Sequence, residues 1–341
     1  MIGKRTLLVS LIGGTIFLGS SRARSLSPKR IWRGFNFIQT PTAPLESDAA
    51  TRSLAALRKT GADVTALIPF FWQAKPDSAD VVGGSDMSHG QLRAGIRAAH
   101  RAGLKVMVKP HIWVPTAWAG VIGMTDEAAW TAWFGNFQRE LEAVAHIAEQ
   151  EQAEWLCIGT EFLKTVHRPE WLRVITSVRR IFQRSILYMA HGAEEVEAVP
   201  FWAKLDLVGV TLYPPLGADD DPQSWRRAMS AEYARVEAVA HKHGKQVWVG
   251  EIGIRSAEGA ASKPWESAEE RVAEPAPALQ ADVLSAWLDV LDRPSVAGIL
   301  IWRWLSDPDG GGAADTDFTV QNKAAEAAIT KLWLRNGTKA R

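Results

Sequence analysis

Cysteine occurs once in the 341 residues, at Cys157, and tyrosine only three times. A single thiol excludes an intramolecular disulfide, a cysteine-rich zinc site and a CxxC redox pair. Excess charge is missing too: 39 basic side chains face 38 acidic ones, a formal net charge of +1. That balance argues against a nucleic-acid partner, which calls for a basic excess or stripe. No HExxH, no phosphate-cradling Gly-Lys-Ser/Thr loop and no GxSxG occur. Metallopeptidase, nucleotide-hydrolase and α/β-hydrolase chemistries therefore find no support. The stretch 307–317 scatters Asp307, Asp309, Asp315 and Asp317 among glycines, but its spacing does not fit a twelve-residue calcium loop. Neither a metal nor a cofactor is expected.

Long apolar runs are also scarce. The exception is residues 7–18, interrupted by Ser10, Gly13, Gly14 and Thr15, preceded by Lys4-Arg5 and followed by the small-x-small triplet Ser21-Arg22-Ala23. This run is shorter than the ~20 residues of a spanning helix. Residues 1–27 read as a signal peptide, with an uncleaved N-terminal anchor as the alternative. The expected location is periplasmic or secreted, with membrane attachment only if the leader is retained.

Beyond the leader, 47% hydrophobic and 23% charged residues describe an ordinary globular chain. Sixteen tryptophans stand against eleven phenylalanines. Because a buried indole N–H needs a partner, such an excess is expected where flat apolar faces meet an amphipathic ligand such as a sugar ring.

Short runs rich in Val, Ile and Leu recur at 34–37, 64–71, 106–113, 155–160, 186–190, 205–213, 247–252 and 299–304. Near-continuous hydrophobicity suits parallel strands covered on both faces. Amphipathic stretches separate them at 47–60, 88–102, 126–150, 169–184, 194–203, 223–243, 277–291 and 323–334. Eight strand–helix alternations predict a single-domain (β/α)8 TIM barrel over 31–335. The rival doubly wound sheet lacks a GxGxxG after its first strand.

Active sites of such barrels lie where strands pass into helices. Glu161 ends the fourth run and Glu251 the seventh, on strands that face each other across the mouth. Strict alternation would put Glu161 on the face of Gly159 and Cys157, and Glu251 on that of Val249 and Val247. Two carboxylates across a cleft are what glycoside hydrolysis needs: one protonated, to donate to the leaving oxygen, and one ionised, to attack or stabilise the anomeric carbon. On this reading the charge of the attacking carboxylate raises the pKa of the donating one.

The same rim offers Lys109 and His111 toward the end of the third run, His191 after the fifth, Tyr213 at the end of the sixth and Trp302-Arg303 on the eighth, with Trp72 just after the second. Tyr213 is placed to hydrogen-bond the nucleophile, Trp302 to floor a sugar subsite, and His111 to bond a hydroxyl or orient a carboxylate. Lys109, Trp72 and His191 complete the expected substrate-binding set. Rim salt bridging is the plainer reading of Lys109 and Arg303.

Together Lys109-Pro110-His111, residues 130–134, Gly159-Thr160-Glu161, residues 201–206, Gly250-Glu251-Ile252-Gly253, Lys263-Pro264-Trp265, and Asp317-Phe318-Thr319 with Gln321 and Lys323 carry a resemblance. The chain resembles the glycoside hydrolases of clan A, and among them family 113, whose characterised members are β-mannanases. The resemblance implies a retaining mechanism, with acid/base at Glu161, nucleophile at Glu251 and Tyr213 beside the latter. It implies a polysaccharide substrate, with β-1,4-mannan as the candidate. Two positions depart from the wider clan: Thr160, where many relatives carry an Asn that bonds the sugar 2-hydroxyl, and His191-Gly192. Two alternatives stand beside the hydrolase: a transglycosylase using the same glutamates, and a non-catalytic carbohydrate-binding barrel of a polysaccharide export system.

Overall fold

The computed structural model describes residues 30–337 apart from 85 and 116; the leader lies outside them. Its strands are β1 (Trp32–Ile38), β2 (Val64–Leu67), β3 (Phe70–Trp72), β4 (Lys105–Val108), β5 (His111–Trp113), β6 (Trp155–Thr160), β7 (Ser185–His191), β8 (Val208–Leu212), β9 (Val247–Ile252) and β10 (Val296–Leu305). Its helices are α1 (Asp48–Lys59), α2 (His89–Arg101), α3 (Glu127–Gln150), α4 (Glu170–Ile181), α5 (Gly192–Ala198), α6 (Pro222–Lys242), α7 (Pro277–Val290) and α8 (Ala324–Gly337). Eight strands pair in parallel and close in the order β1-β10-β9-β8-β7-β6-β4-β2. This is the expected (β/α)8 TIM barrel. Among the described residues no helix is long and apolar enough to cross a membrane.

Local chemistry sets the helix starts. Ser47, Asp126 and Asp221 accept from the Ala50, Ala129 and Ser224 amides, and Ser88 forms a reciprocal capping box with Gln91, satisfying donors that no helix turn can reach.

Two expected strands are each broken in two. Runs 64–71 and 106–113 stop pairing in the barrel at Leu67 and Val108, just before Ile68-Pro69 and Lys109-Pro110. Proline has no N–H to give the ladder, so pairing stops there. The continuations, β3 and β5, pair with each other above the barrel rim, with Phe70 opposite His111, Phe71 opposite Ile112 and Trp72 opposite Trp113. Phe71 and Ile112 are buried beneath this ribbon, while Trp72 and Trp113 are exposed. Phe70, Trp72, His111 and Trp113 therefore share one outward face.

The barrel interior is filled by Val64, Ala66, Ile68, Met107, Cys157, Leu187, Met189, Trp248 and Leu300. Trp32, Trp155 and Trp248 close the end where strands begin, with ring centroids 5.5 and 4.7 Å apart. A second, larger core lies between strands and helices. It takes much of the tryptophan: Trp133, Trp171, Trp202, Trp287 and Trp304 are fully buried. Four of these donate their indole N–H, to Gln73, Thr165, Val196 and Ser53. The tryptophan excess is thus mainly structural, with sugar-facing candidates confined to the few exposed or half-buried rings.

Candidate active site

Glu161 and Glu251 both reach the barrel mouth, but not by simple alternation. Pairing between β6 and β7 slips between Cys157 and Thr160. Cys157 stays in the interior core, whereas Gly159 turns outward against Trp171, Tyr188 and Phe162. Glu161 then adopts φ 60°, a left-handed conformation uncommon outside glycine, with its N–H donating to the Met189 carbonyl at 2.8 Å. On β9 the register slips again, against β8 between Val210 and Thr211. Val247 and Val249 pack outward. Gly250 lies so close to Met189 that a Cβ there would sit 2.3 Å from its sulfur. Glu251 accordingly shares neither face with the residues that alternation assigned to it. A bulge re-aims each glutamate.

Glu251 is only 5% exposed and is gripped from two sides. Lys109, wholly buried at the end of β4, places Nζ 2.5 Å from Oε1, and Tyr213 donates its hydroxyl to Oε2 at 2.9 Å. Lys109 Nζ also lies 5.4 Å from the Trp302 ring centre. Lys109 is therefore no rim residue. Arg303 is one: it pairs with Asp317 at 2.5 Å.

Glu161 has different company. Its Oε1 accepts from the Thr211 hydroxyl at 2.6 Å and lies 3.1 Å from His191 Nδ1. Its Oε2 faces His111 Nε2 at 4.0 Å. Burial opposes ionisation of Glu161, but the His191 hydrogen bond, the imidazole charges and the Thr211 hydroxyl outweigh it and hold the carboxyl well below its ordinary value. Burial also disfavours charge on His191, yet Glu161 raises that imidazole to about 9. The expected upward shift of Glu161 is thus reversed, because its nearest strong partner is a cation donor rather than Glu251. His111 is pushed down, first by burial and then by Lys109. Its Nδ1–H donates to the Ile112 carbonyl at 3.0 Å, leaving Nε2 turned to the cleft.

A buried layer supports the histidine. Glu195 Oε2 accepts the His191 backbone N–H at 2.7 Å and Oε1 accepts the Tyr188 hydroxyl at 2.5 Å; burial pushes Glu195 up to about 7. The Trp118 ring lies 4.8 Å from that of His191.

The two glutamates share one space: His111, His191 and Tyr213 each feel the charge of both. Lys109, His111, His191, Tyr213 and Trp302 thus gather around the pair, and Trp72 lies on the ribbon face that carries His111. Sequence reasoning missed Thr211, Asn36, Trp113 and Trp118. Thr211 sits two residues before Tyr213, hence on the same strand face; that signal was legible. Asn36 is the one polar residue between Phe35 and Phe37. The acidic stretch 307–317 is engaged internally, with Asp315 on Lys323 at 2.7 Å and Asp317 on Arg303. Among the described residues no three His, Cys, Asp or Glu side chains gather as a metal would require.

No curated protein matches the chain. Among solved structures, the chain is similar to the family 113 β-mannanase of Alicyclobacillus acidocaldarius in complex with ManMIm, at 23% identity and TM-score 0.77, covering 89% of this chain and 98% of that one. A family 113 β-1,4-mannanase matches at 22% identity and TM-score 0.79, over 89% and 99%. More distant is a family 5 glycoside hydrolase of Streptomyces cattleya in complex with Manβ1-4GlcNAc, at 16% identity and TM-score 0.60, over 91% and 82%. The sequence pattern of Glycoside Hydrolase Family 113 matches residues 35–323, most of the chain, and the protein accordingly belongs to that family and is a glycosidase.

Proposed function

We propose that the protein is a retaining β-glycosidase of polysaccharides, with β-1,4-mannan as its substrate class, in which Glu251 is the nucleophile and Glu161 the acid/base. The observation that carries this reading is the unequal treatment of the two carboxylates. Glu251 is fixed by a buried ammonium and a phenol, an arrangement that orients an anion for attack. Glu161 is held through one oxygen by Thr211 and His191, which leaves Oε2 toward the cleft for proton transfer.

In the first step a Glu251 oxygen bonds to the anomeric carbon as the glycosidic C–O bond breaks, and Glu161 gives its proton to the departing oxygen. In the second, Glu161 takes a proton from water as that water displaces Glu251, restoring both groups. Lys109 and Tyr213 hold the nucleophile against rotation and stabilise it as a leaving group. Trp302, beside Lys109, is the floor for the reacting sugar, and the Trp72–Trp113 face extends the cleft on the side of His111 and Glu161. An aromatic extension of that kind supports a polymeric substrate. The β-mannanase relatives support mannan, and the leader supports action in the periplasm or outside the cell.

The test is trapping with a 2-deoxy-2-fluoro-β-mannosyl inactivator followed by peptide mass spectrometry. The expected result is a mannosyl adduct on Glu251. An adduct elsewhere would overturn the assignment, and failure to cleave any β-linked polysaccharide would overturn the function.

A further inference from the structure

His191 is a residue that neither the barrel fold nor the two-glutamate mechanism calls for. It is bound on three sides. Nδ1 lies 3.1 Å from Glu161 Oε1, the backbone N–H is fixed by Glu195, and the Trp118 ring covers the imidazole at 4.8 Å. Thr211 donates to the same Glu161 oxygen at 2.6 Å, so two donors converge on Oε1, and among the described residues none as close reaches Oε2.

We propose that His191 is a positioning residue for Glu161: through Nδ1–H it anchors Oε1, and with Glu161 it retains one exchangeable proton, carried on the imidazole at rest and on Glu161 Oε2 when a glycosidic oxygen is to be protonated. This rests on the acid/base role proposed above for Glu161. The proton balance is simple. The resting pair is imidazolium and carboxylate. Loss of the Nε2 proton to solvent and gain of one from solvent at Oε2 gives neutral imidazole and carboxylic acid, with net charge unchanged. Nδ1–H donates to Oε1 in both forms, so the carboxyl keeps its orientation. A sugar laid over the pair excludes water, which disfavours the separated charges and favours the acid form. After glycosyl transfer, protonation of the leaving oxygen returns Glu161 to carboxylate, the form needed to activate water.

The charged groups around His191 favour this proton count. Glu161 from the end of β6, Glu195 from α5 and Glu251 from β9 all stabilise the imidazolium. Thr211 from β8 is neutral, Lys109 from the end of β4 is engaged by Glu251, and His111 is held toward its neutral form. Glu232 from α6 accepts the Ala193 N–H. The pair therefore loses its last proton only as His191 titrates, near pH 9, and an acid-requiring step should persist into mildly alkaline solution.

The experiment compares wild type with His191→Asn on β-1,4-mannan, which needs an acid, and on 2,4-dinitrophenyl β-mannoside, whose leaving group does not. We expect the alkaline limb of kcat/KM on mannan to fall by two pH units or more in the variant, with the profile on the activated glycoside changed far less. In parallel, the His191 imidazole is titrated by NMR in the full chain with and without Glu161→Gln. The wild-type ring should titrate near pH 9 and the variant at least one unit lower. An unmoved alkaline limb in folded His191→Asn, or an unmoved titration in Glu161→Gln, would overturn the proposal. The titration needs no turnover, so it decides the point even if His191→Asn does not fold or mannan is not cleaved. The latter outcome would instead sink the proposed function.

Discussion

Asn36 on β1 donates its side-chain amide to the Gly250 carbonyl at 2.9 Å, and to the Ile301 carbonyl at 3.4 Å. The bond spans the barrel seam and pins the carbonyl that the β9 bulge displaces, one residue before Glu251. A wholly buried asparagine is thus the internal clamp on the proposed nucleophile. Asn36→Ala leaves those buried carbonyls short of a donor, at a cost of about 1–3 kcal/mol in stability. Because a displacement near 1 Å at a reacting group costs on the order of 100-fold, kcat should fall by about that factor in protein that remains folded. Thermal unfolding and steady-state kinetics on one preparation check both numbers. Full activity would show that Glu251 holds its place without the clamp.

Glu251→Ala should lower turnover by at least ~10⁴-fold. Sodium azide should then rescue cleavage of an activated β-glycoside, giving the α-glycosyl azide, since the azide enters on the face the carboxylate vacated. Glu161→Ala should retain cleavage of the activated glycoside, lose that of mannan, and yield the β-azide. Chromatography and NMR of the azide products distinguish the two roles. The same anomer from both variants would contradict the assignment.

Lys109→Met removes the ammonium that faces Glu251 and leaves a buried carboxylate with Tyr213 alone. Breaking one side of a buried ion pair costs roughly 3–5 kcal/mol, so the melting temperature at pH 7 should fall. The loss should shrink in the double variant Lys109→Met with Glu251→Gln, which buries no unpaired charge. A thermal-denaturation cycle over the four proteins measures the coupling. An additive cycle would mean that the contact contributes nothing.

Much of this architecture was legible in sequence because its causes are local. Eight apolar runs, helix starts capped by Ser47, Ser88 and Asp126, and carboxylates at strand ends all follow from side-chain chemistry within a few positions. The breaks at Pro69 and Pro110 were legible in principle, since both prolines stand inside the runs. The bulges were not. That Gly159 turns outward while Glu161 turns in depends on Trp171 and Tyr188, and that Gly250 and Glu251 escape alternation depends on Met189 and Asn36, all distant in the chain. The protonation of Glu161 failed for the same reason: its decisive neighbours, His191 and Thr211, lie 30 and 50 residues away.

Trp72 and Trp113 stand opposite each other on a ribbon that exists because two prolines end the barrel pairing early, and both are about half exposed. If they floor the leaving-group side of the cleft, Trp113→Ala should raise KM for long mannan chains by about threefold to tenfold, the equivalent of ~0.5–1.5 kcal/mol for an aromatic contact. The kcat/KM for an aryl monoglycoside, too short to reach the ribbon, should stay within about twofold. Equal losses on both substrates would point to a packing defect rather than a subsite.

Glu154 precedes β6 and staples it to β4. Its carboxylate accepts from the Val106 N–H at 2.8 Å and contacts Lys105 at 2.8 Å and His100 at 3.2 Å. Burial works against ionisation there, but these donors prevail and hold the carboxyl at about 2, below its ordinary 4.5. A depressed carboxylate contributes stability that is complete above its unfolded value and disappears as pH falls through its folded value. The contribution of Glu154 is therefore present at pH 7 and lost between about pH 4.5 and pH 2. Partial exposure screens it to about 1–2 kcal/mol. Glu154→Gln should lower the melting temperature by a few degrees at pH 7, and the difference from wild type should vanish as pH approaches 2. Melting curves across that window decide it: a difference that stays constant with pH would mean that the glutamate acts by shape alone and not by charge.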